Sequence, residues 1–215
     1  MTDGIMQEKF NEITAHLLED DKPSNFLASI SMKSEFSGYP FTMLWKLKET
    51  EQSKTHHPEG SVWNHTMLVV DVAAGVRDKS RDRKSFMWAA LLHDIGKPST
   101  TKVRNGRITS YDHDKEGEKL SRQFLTALSE DEEMIERITS LVRYHMHMLY
   151  VLKNMPYGDM KNMLKRVDIN DIALLCNCDR LGRTGASVDK EEENYLEFLS
   201  ILNKRVNEKS QPVMR

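Results

Sequence analysis

The segment Ala89-Ala-Leu-Leu-His93-Asp94-Ile-Gly96-Lys-Pro98 decides the fold. Its apolar first half continues a helical pattern that starts near residue 82, and Gly96 and Pro98 end that helix. An imidazole and a carboxylate that follow such a run are expected to be buried, which is costly unless a cation compensates the charge. The segment therefore predicts a helix that carries His93 and Asp94 to a cation site.

Two other helical stretches carry ligand-type side chains in the same apolar context. His65 lies on the apolar stripe of a helix predicted after Ser61, and Asp179 follows the run Ala173-Leu174-Leu175. Imidazole nitrogen and carboxylate oxygen suit Mn, Fe, Co, Ni, Zn or Mg to different degrees. A divalent ion is the predicted cofactor, and its expected ligands are His65, His93, Asp94 and Asp179.

Helical periodicity dominates the rest of the chain. The exception is the stretch 102–109, whose Asn105-Gly106 pair favours a hairpin turn. The predicted fold class is all-α, a helical bundle with a small β-hairpin near residues 102–110. Helices are expected at about residues 5–18, 61–78, 82–94, 113–128, 131–147, 158–166, 169–182 and 189–207.

The predicted organisation has three parts. Residues 1–55 are expected to form an N-terminal helical extension in which the region 24–55 is mixed. Residues 56–185 are expected to form the core, and residues 186–215 a C-terminal helix and tail that packs on it, with 208–215 frayed.

Composition limits the class of protein. The chain has 215 residues and a net charge of −2, from 31 Lys and Arg against 33 Asp and Glu, so a general nucleic-acid binder is not expected. No apolar run is long enough to span a bilayer, and a cytoplasmic location is expected. Cys176 and Cys178 are expected on different helix faces, so they are predicted not to form a disulfide with each other.

Several sequence motifs resemble the HD superfamily of metal-dependent phosphohydrolases. The order of His65, the segment 91–98 and Asp179 is similar to its signature, and the segments around them resemble the HD domain of bacterial CCA-adding tRNA nucleotidyltransferases. The similarity covers about residues 55–185. The segments that carry it are His56-His-Pro-Glu-Gly-Ser-Val-Trp-Asn-His-Thr66, His93-Asp-Ile-Gly-Lys-Pro-Ser-Thr-Thr101, Arg107-Ile-Thr-Ser-Tyr-Asp-His-Asp-Lys-Glu-Gly117, Leu141-Val-Arg-Tyr-His145 and Cys178-Asp-Arg-Leu-Gly-Arg183.

The resemblance implies an all-helical core whose metal is held by the first His, the His-Asp pair and the final Asp. His113 and His145 match positions that bind a second metal in binuclear HD proteins, and Asp94 would then bridge the two ions. Read without the resemblance, His113 is equally a helix-start residue and His145 a surface residue near a helix end. One ion and two ions both remain open.

The activity that the resemblance implies is hydrolysis of 2′,3′-cyclic phosphodiesters, 2′-phosphates and other phosphoesters, by attack of a metal-bound hydroxide. Residues 1–55 contain no Gly-Ser and paired-Asp motif of a nucleotidyltransferase head, so nucleotide addition is not expected. The expected partner is a nucleotide or another small phosphoester, or an RNA end, and no membrane. Oligomeric state is not predicted.

Other residues are expected to assist the reaction. Asp94 is expected to orient or deprotonate the attacking water, and Glu59 to fix a histidine or a water from outside the ligand set. The cations expected to hold the phosphate are Lys97, Arg143 and Arg183, each of which could equally form a structural ion pair. The alternatives are a di-iron oxygenase with the same ligands, a 5′-nucleotidase or nucleoside triphosphate hydrolase, and a regulatory module that binds a nucleotide without turnover.

Overall fold

The computed structural model describes residues 3–128 and 131–210. Within these residues the chain is mainly α-helical and forms one two-stranded antiparallel sheet, which confirms the all-α prediction with its hairpin. None of the described helices is long and apolar enough to cross a bilayer.

The helices are numbered in chain order, and a hairpin of β1 (Lys102–Arg104) and β2 (Arg107–Thr109) lies between α6 and α7. Their bounds are α1 (Asp3–Glu19), α2 (Pro23–Ile30), α3 (Thr42–Glu49), α4 (Val62–Ala74), α5 (Arg83–Leu92), α6 (Lys97–Thr100), α7 (His113–Thr126), α8 (Glu132–Tyr144), α9 (His147–Leu152), α10 (Met160–Arg166), α11 (Ile169–Leu181) and α12 (Val188–Ser210).

Helix α5 lies in the centre of the fold. Every side chain from Ser85 to Leu92 is buried, and the helix packs against α1, α4, α8 and α11. Asp82 caps its first turn by accepting a hydrogen bond from the Ser85 backbone N–H at 3.1 Å. Because α5 is apolar on all sides from Phe86 to Leu92, the two residues that follow it, His93 and Asp94, are carried into the interior.

The helices at the two ends of the chain complete the core. The Phe10 ring of α1 stacks on Trp88 at a centroid distance of 4.9 Å, and the Trp88 indole donates to Thr14 Oγ1 at 3.0 Å. At the other end, Phe198 and Leu202 of α12 are fully buried, and this helix packs on α11 and α9. The boundaries of extension, core and C-terminal part stay predictions.

Several element boundaries differ from the sequence-based prediction. The helix predicted at 131–147 is two helices, α8 and α9, which are separated at His145 and Met146. The helix from residue 61 ends at Ala74, and a short 3₁₀ turn follows. The prediction of a frayed tail is wrong for residues 208–210, which continue α12, and residues 211–215 lie outside the described residues. Cys176 and Cys178 are buried free thiols, as predicted.

Candidate metal centre

The predicted ligands meet where five helices begin or end. His65 lies on α4, His93 and Asp94 directly follow α5, and His113 begins α7. His145 follows α8, and Asp179 lies in the last turn of α11. All six side chains are buried.

A first cluster consists of His65, His93 and Asp179, whose ligand atoms lie within 4.8 Å of one another. His65 Nε2 is 2.9 Å from Asp179 Oδ1. Asp94 Oδ2 lies 3.2 Å from His93 Nε2 and 3.9 Å from His65 Nε2. The four residues predicted to hold one ion therefore surround a common point.

A second cluster consists of Asp94, His113 and His145. Asp94 Oδ1 lies 3.5 Å from His113 Nε2 and 3.8 Å from His145 Nε2. Asp94 thus turns one carboxylate oxygen towards each cluster, which is the arrangement of a bridging ligand.

The backbone fixes which nitrogen three of the histidines present to these clusters. In each ring Nδ1 lies within 2.8 Å of a backbone carbonyl oxygen three residues earlier in the chain. A carbonyl oxygen only accepts, so Nδ1 carries the hydrogen and Nε2 presents a lone pair. The pairs of ring and carbonyl are His93 with Ala90, His113 with Ser110 and His145 with Val142.

This donor set fits a divalent ion. The Nε2 atoms of His113 and His145 lie 3.2 Å apart, and both rings donate through Nδ1. Burial lowers the pKa of both rings, and burial together with the nearby His113 and His93 lowers the pKa of His145 to about 3. Two facing lone pairs repel unless a proton or a metal ion lies between them. His93 Nε2 is also buried and finds no hydrogen-bond partner among the described residues.

Both carboxylates of the centre are held in the ionised form that ligates metals. Burial alone would raise the pKa of Asp94, but the charge of Lys97 holds it well below its usual range. Burial opposes ionisation of Asp179 too, and Arg183 and His65 lower its pKa.

Two glycines let the helices approach closely enough to bring the ligands together. A Cβ on Gly96 would lie 2.1 Å from the His113 carbonyl oxygen and 2.6 Å from the Gly117 nitrogen. A Cβ on Gly182 would lie 2.5 Å from Val69 Cγ2. The first contact brings α7 with His113 to Asp94, and the second brings the end of α11 against α4.

Glu59 contacts the metal centre from outside it. Its Oε1 lies 3.0 Å from His57 Nδ1 and 2.9 Å from His65 Nδ1, and its Oε2 accepts from the Thr184 N–H at 3.3 Å. Burial would raise the pKa of Glu59, but hydrogen bonds from His65 and His57 lower it to about 2. The sequence did not single out His57 as a site residue, although it stood in the quoted motif beside Glu59.

The predicted phosphate-binding cations divide into two groups. Lys97 Nζ contacts Asp94 Oδ2 at 2.7 Å and Gln52 Oε1 at 2.6 Å, and Arg183 Nη2 lies 3.3 Å from Asp179 Oδ2. The structure does not bring Arg143 to the cavity over the centre. Its guanidinium is paired with Asp114, a buried carboxylate next to His113, and lies 3.7 Å from Glu118.

An open cavity of about 1310 Å³ lies over the centre. Asp94, His113, His145 and Asp179 reach it together with Lys97 and Arg183. Its walls come from residues 51–57, from the hairpin and the chain after it at 106–115, and from residues 146–157.

Comparisons with known proteins identify the family of this chain. A family model described as "HD domain" matches residues 62–181. The Multifunctional CCA protein of Actinobacillus pleuropneumoniae serotype 5b (strain L20) is 28% identical over 67% of this chain and 36% of its own length. That of Verminephrobacter eiseniae (strain EF01-2) is 26% identical over 86% of this chain and 44% of its own length. The A-adding tRNA nucleotidyltransferase of Deinococcus radiodurans is 41% identical over 27% of this chain and 14% of its own length. The chain thus spans less than half of each.

Proposed function

Because this chain belongs to the HD domain family, a superfamily of metal-dependent phosphohydrolases, we propose that it hydrolyses phosphomonoesters or cyclic phosphodiesters of nucleotides. The substrates that we propose are 2′,3′-cyclic nucleotides, 2′-nucleotides and related phosphoesters, including an RNA end. The observation that supports this most directly is the position of Asp94, which faces both ligand clusters next to the ammonium of Lys97.

We propose that each cluster binds one divalent ion. His65, His93, Asp94 and Asp179 would hold the first, and Asp94, His113 and His145 the second. Ions bound there would activate water and polarise the phosphoryl group.

The chain's own cations would hold the phosphate. The ammonium of Lys97 has three donors; one donates to Gln52, and the ammonium also lies 2.7 Å from Asp94 Oδ2, so donor capacity is left for a phosphoryl oxygen at the cavity surface. Arg183 lines the same cavity and contacts Asp179 through only one of its nitrogens. Asp94 would accept a hydrogen bond from the attacking water and so orient it. Arg143 plays no part in this proposal, since its guanidinium is paired with Asp114.

The alternative activities can be separated by their substrates and by their chemistry. A 5′-nucleotidase or a nucleoside triphosphate hydrolase would use the same ligands and differ only in substrate. A di-iron oxygenase would also use the six ligands, but a buried ammonium 2.7 Å from the bridging carboxylate favours an anionic substrate. Oxygen uptake by iron-loaded protein separates that alternative from phosphate release. Nucleotide binding with no turnover under any metal would indicate a regulatory module.

The test is a phosphatase and phosphodiesterase panel run with Mn, Mg, Ni, Co and Zn. We expect Asp94→Asn to lower turnover at least about a hundredfold, because metal ligation supplies several kcal/mol of transition-state stabilisation. Metal content should fall with it, and the far-UV circular dichroism should not change.

A matched control is Asp171→Asn. Asp171 is also buried, lies on α11 and accepts the Arg81 N–H at 2.9 Å, and its pKa is raised by burial, so an uncharged amide suits its surroundings. This variant should keep its activity. Near-normal turnover in Asp94→Asn, or no turnover of any phosphoester by the wild-type protein, would contradict the proposed function.

A further inference from the structure

One stretch of the cavity wall differs from the rest in chemistry. Charged side chains surround the metal centre, but between residues 146 and 157 every side chain that lines the cavity is apolar or a tyrosine. These residues are Met146, Leu149, Tyr150, Met155, Pro156 and Tyr157. The cavity therefore combines a charged floor with an uncharged, partly aromatic wall.

This wall directly adjoins the second ligand cluster. It begins at Met146, next to the ligand His145, and continues through α9 into the following turn. At about 1.5 Å per helical residue, Tyr150 lies within one or two turns of that ligand. A molecule whose phosphate lies over the ligands would therefore share the cavity with this wall.

The wall is held in one arrangement by hydrogen bonds and ring contacts. His147 is fully buried and its Nε2 accepts the Asp159 N–H at 3.0 Å, which ties the turn back to α9. The Met155 N–H donates to the Tyr150 carbonyl oxygen at 2.8 Å, and the Tyr150 and Tyr157 rings meet edge to face at 5.7 Å. A preformed surface of this kind loses little conformational entropy when a ligand binds.

The hairpin side of the cavity adds a second exposed ring. Tyr111 is 63% exposed and Tyr157 59%, although both line the cavity. The Arg104 guanidinium lies 5.5 Å from the Tyr111 ring centroid. An exposed tyrosine ring, with or without a cation beside it, offers a stacking surface for a planar ring that is linked to a phosphate.

We propose that Tyr157 and Tyr111 form a nucleobase subsite, so that the enzyme selects nucleoside phosphoesters over phosphoesters without a base. The proposal rests on the proposed function, since the phosphate must lie over the ligands. The size of the cavity agrees with it, because about 1310 Å³ is more than a bare phosphate needs and exceeds the roughly 300–1,000 Å³ typical of drug-sized ligands.

The test compares 2′,3′-cyclic AMP with glycerol 1,2-cyclic phosphate, which has the same five-membered phosphodiester and no base. In the metal-loaded protein, Tyr157→Leu should lower kcat/KM for 2′,3′-cyclic AMP by about tenfold or more, because base–aromatic stacking is worth that much per base. Its kcat/KM for glycerol cyclic phosphate should stay within about twofold. Tyr157→Phe keeps the ring and should behave as wild type, and Tyr111→Leu should repeat the selective loss.

Tyr39→Leu is the matched control, since Tyr39 is also 59% exposed but does not line the cavity. An equal loss on both substrates in Tyr157→Leu, or no loss on either, would overturn the subsite. If neither cyclic substrate is hydrolysed, the full phosphoester panel decides the proposed function, and calorimetric titration with 2′,3′-cyclic AMP decides the subsite separately. Binding weakened by Tyr157→Leu but not by Tyr39→Leu supports the subsite, and unchanged or absent binding refutes it.

Discussion

Gln52 holds the site's central cation from outside the segment that matches the family model. Its Oε1 accepts a hydrogen bond from Lys97 Nζ at 2.6 Å, and its Nε2 donates to the Ser61 carbonyl oxygen at 3.3 Å. Ser61 caps α4, the helix that carries His65. Gln52 therefore fixes Lys97 relative to the helix that carries the proposed ligand His65, which makes it a positioning residue for the ammonium that we propose to bind phosphate.

Replacing this side chain should affect substrate binding more than chemistry. We expect Gln52→Leu to raise KM for a phosphoester about tenfold, because a hydrogen bond to a charged group contributes roughly 1.5–3 kcal/mol and Lys97 would lose its anchor. The kcat value and the metal content should stay near those of the wild type. Steady-state kinetics with metal analysis checks this, and a parallel fall of kcat, metal content and melting temperature would instead indicate a purely structural role.

Site residues that interrupt an apolar run could be predicted from the sequence. Residues whose role depends on a contact with a distant part of the chain were missed. His65, His93, Asp94 and Asp179 stood out because an imidazole or carboxylate in an apolar run needs a compensating charge. Gln52 lies in an irregular loop where glutamine carries no such signal. The pairing of Arg143 with Asp114 was also unreadable, because it joins residues on α7 and α8 whose relative rotation only the fold defines.

At the scale of helices, Asp82 anchors the start of the central helix. Its carboxylate accepts the Ser85 N–H at 3.1 Å and the Ser85 hydroxyl at 2.7 Å, and it lies 2.9 Å from Arg137 Nε on α8. Burial would raise the pKa of Asp82, but the bonds from Ser85 and the charge of Arg137 lower it below its ordinary value of 3.8. The ionised cap therefore stabilises the folded chain.

This cap should make the stability of the chain depend on pH. A carboxyl whose pKa is lowered on folding stabilises the protein above its unfolded-state pKa, and that contribution is lost as the pH falls through the folded-state value. Asp82→Ala should lower the free energy of unfolding by about 1–2 kcal/mol at pH 7, and by less as the pH falls below about 4. Urea unfolding across pH 7 to 3 measures this.

Asp82→Asn separates the cap from the charge. Asparagine caps a helix about as well as aspartate. At pH 7, Asp82→Asn should therefore lower the free energy of unfolding by less than Asp82→Ala does. A constant difference between Asp82→Ala and wild type at every pH would contradict the role of the charge.

Helix ends were harder to predict than helices because tertiary contacts set them. Gly96 was read as a stop signal, and the structure shows that it is also the contact where α7 meets the chain after α5. The continuous pattern from 131 to 147 concealed the break at His145, where the backbone turns so that the ring reaches Asp94. Periodicity records which face is apolar, but it does not record how closely another helix approaches.

At the scale of the whole molecule, the ligands join elements that are far apart in the chain. They come from α4, α5, α7, α8 and α11, so a bound ion would connect most of the core. Without a metal ion or a shared proton between them, the facing lone pairs of His113 and His145 destabilise this arrangement. Metal binding and folding stability should therefore be strongly linked.

Removing metal should lower the melting temperature. At a free ion concentration about a hundredfold above Kd, binding stabilises the native state by roughly 2.7 kcal/mol. For a chain of this size that corresponds to about 5–10 °C, to be measured by calorimetry with Mn²⁺ and then with excess EDTA. In Asp179→Asn, which removes a ligand of the first cluster, most of this difference in melting temperature between Mn²⁺ and EDTA should disappear. In Asp171→Asn, a change on the same helix, the difference should remain. An equal shift in both variants would mean that the ion binds elsewhere and that convergence of these side chains does not create the site.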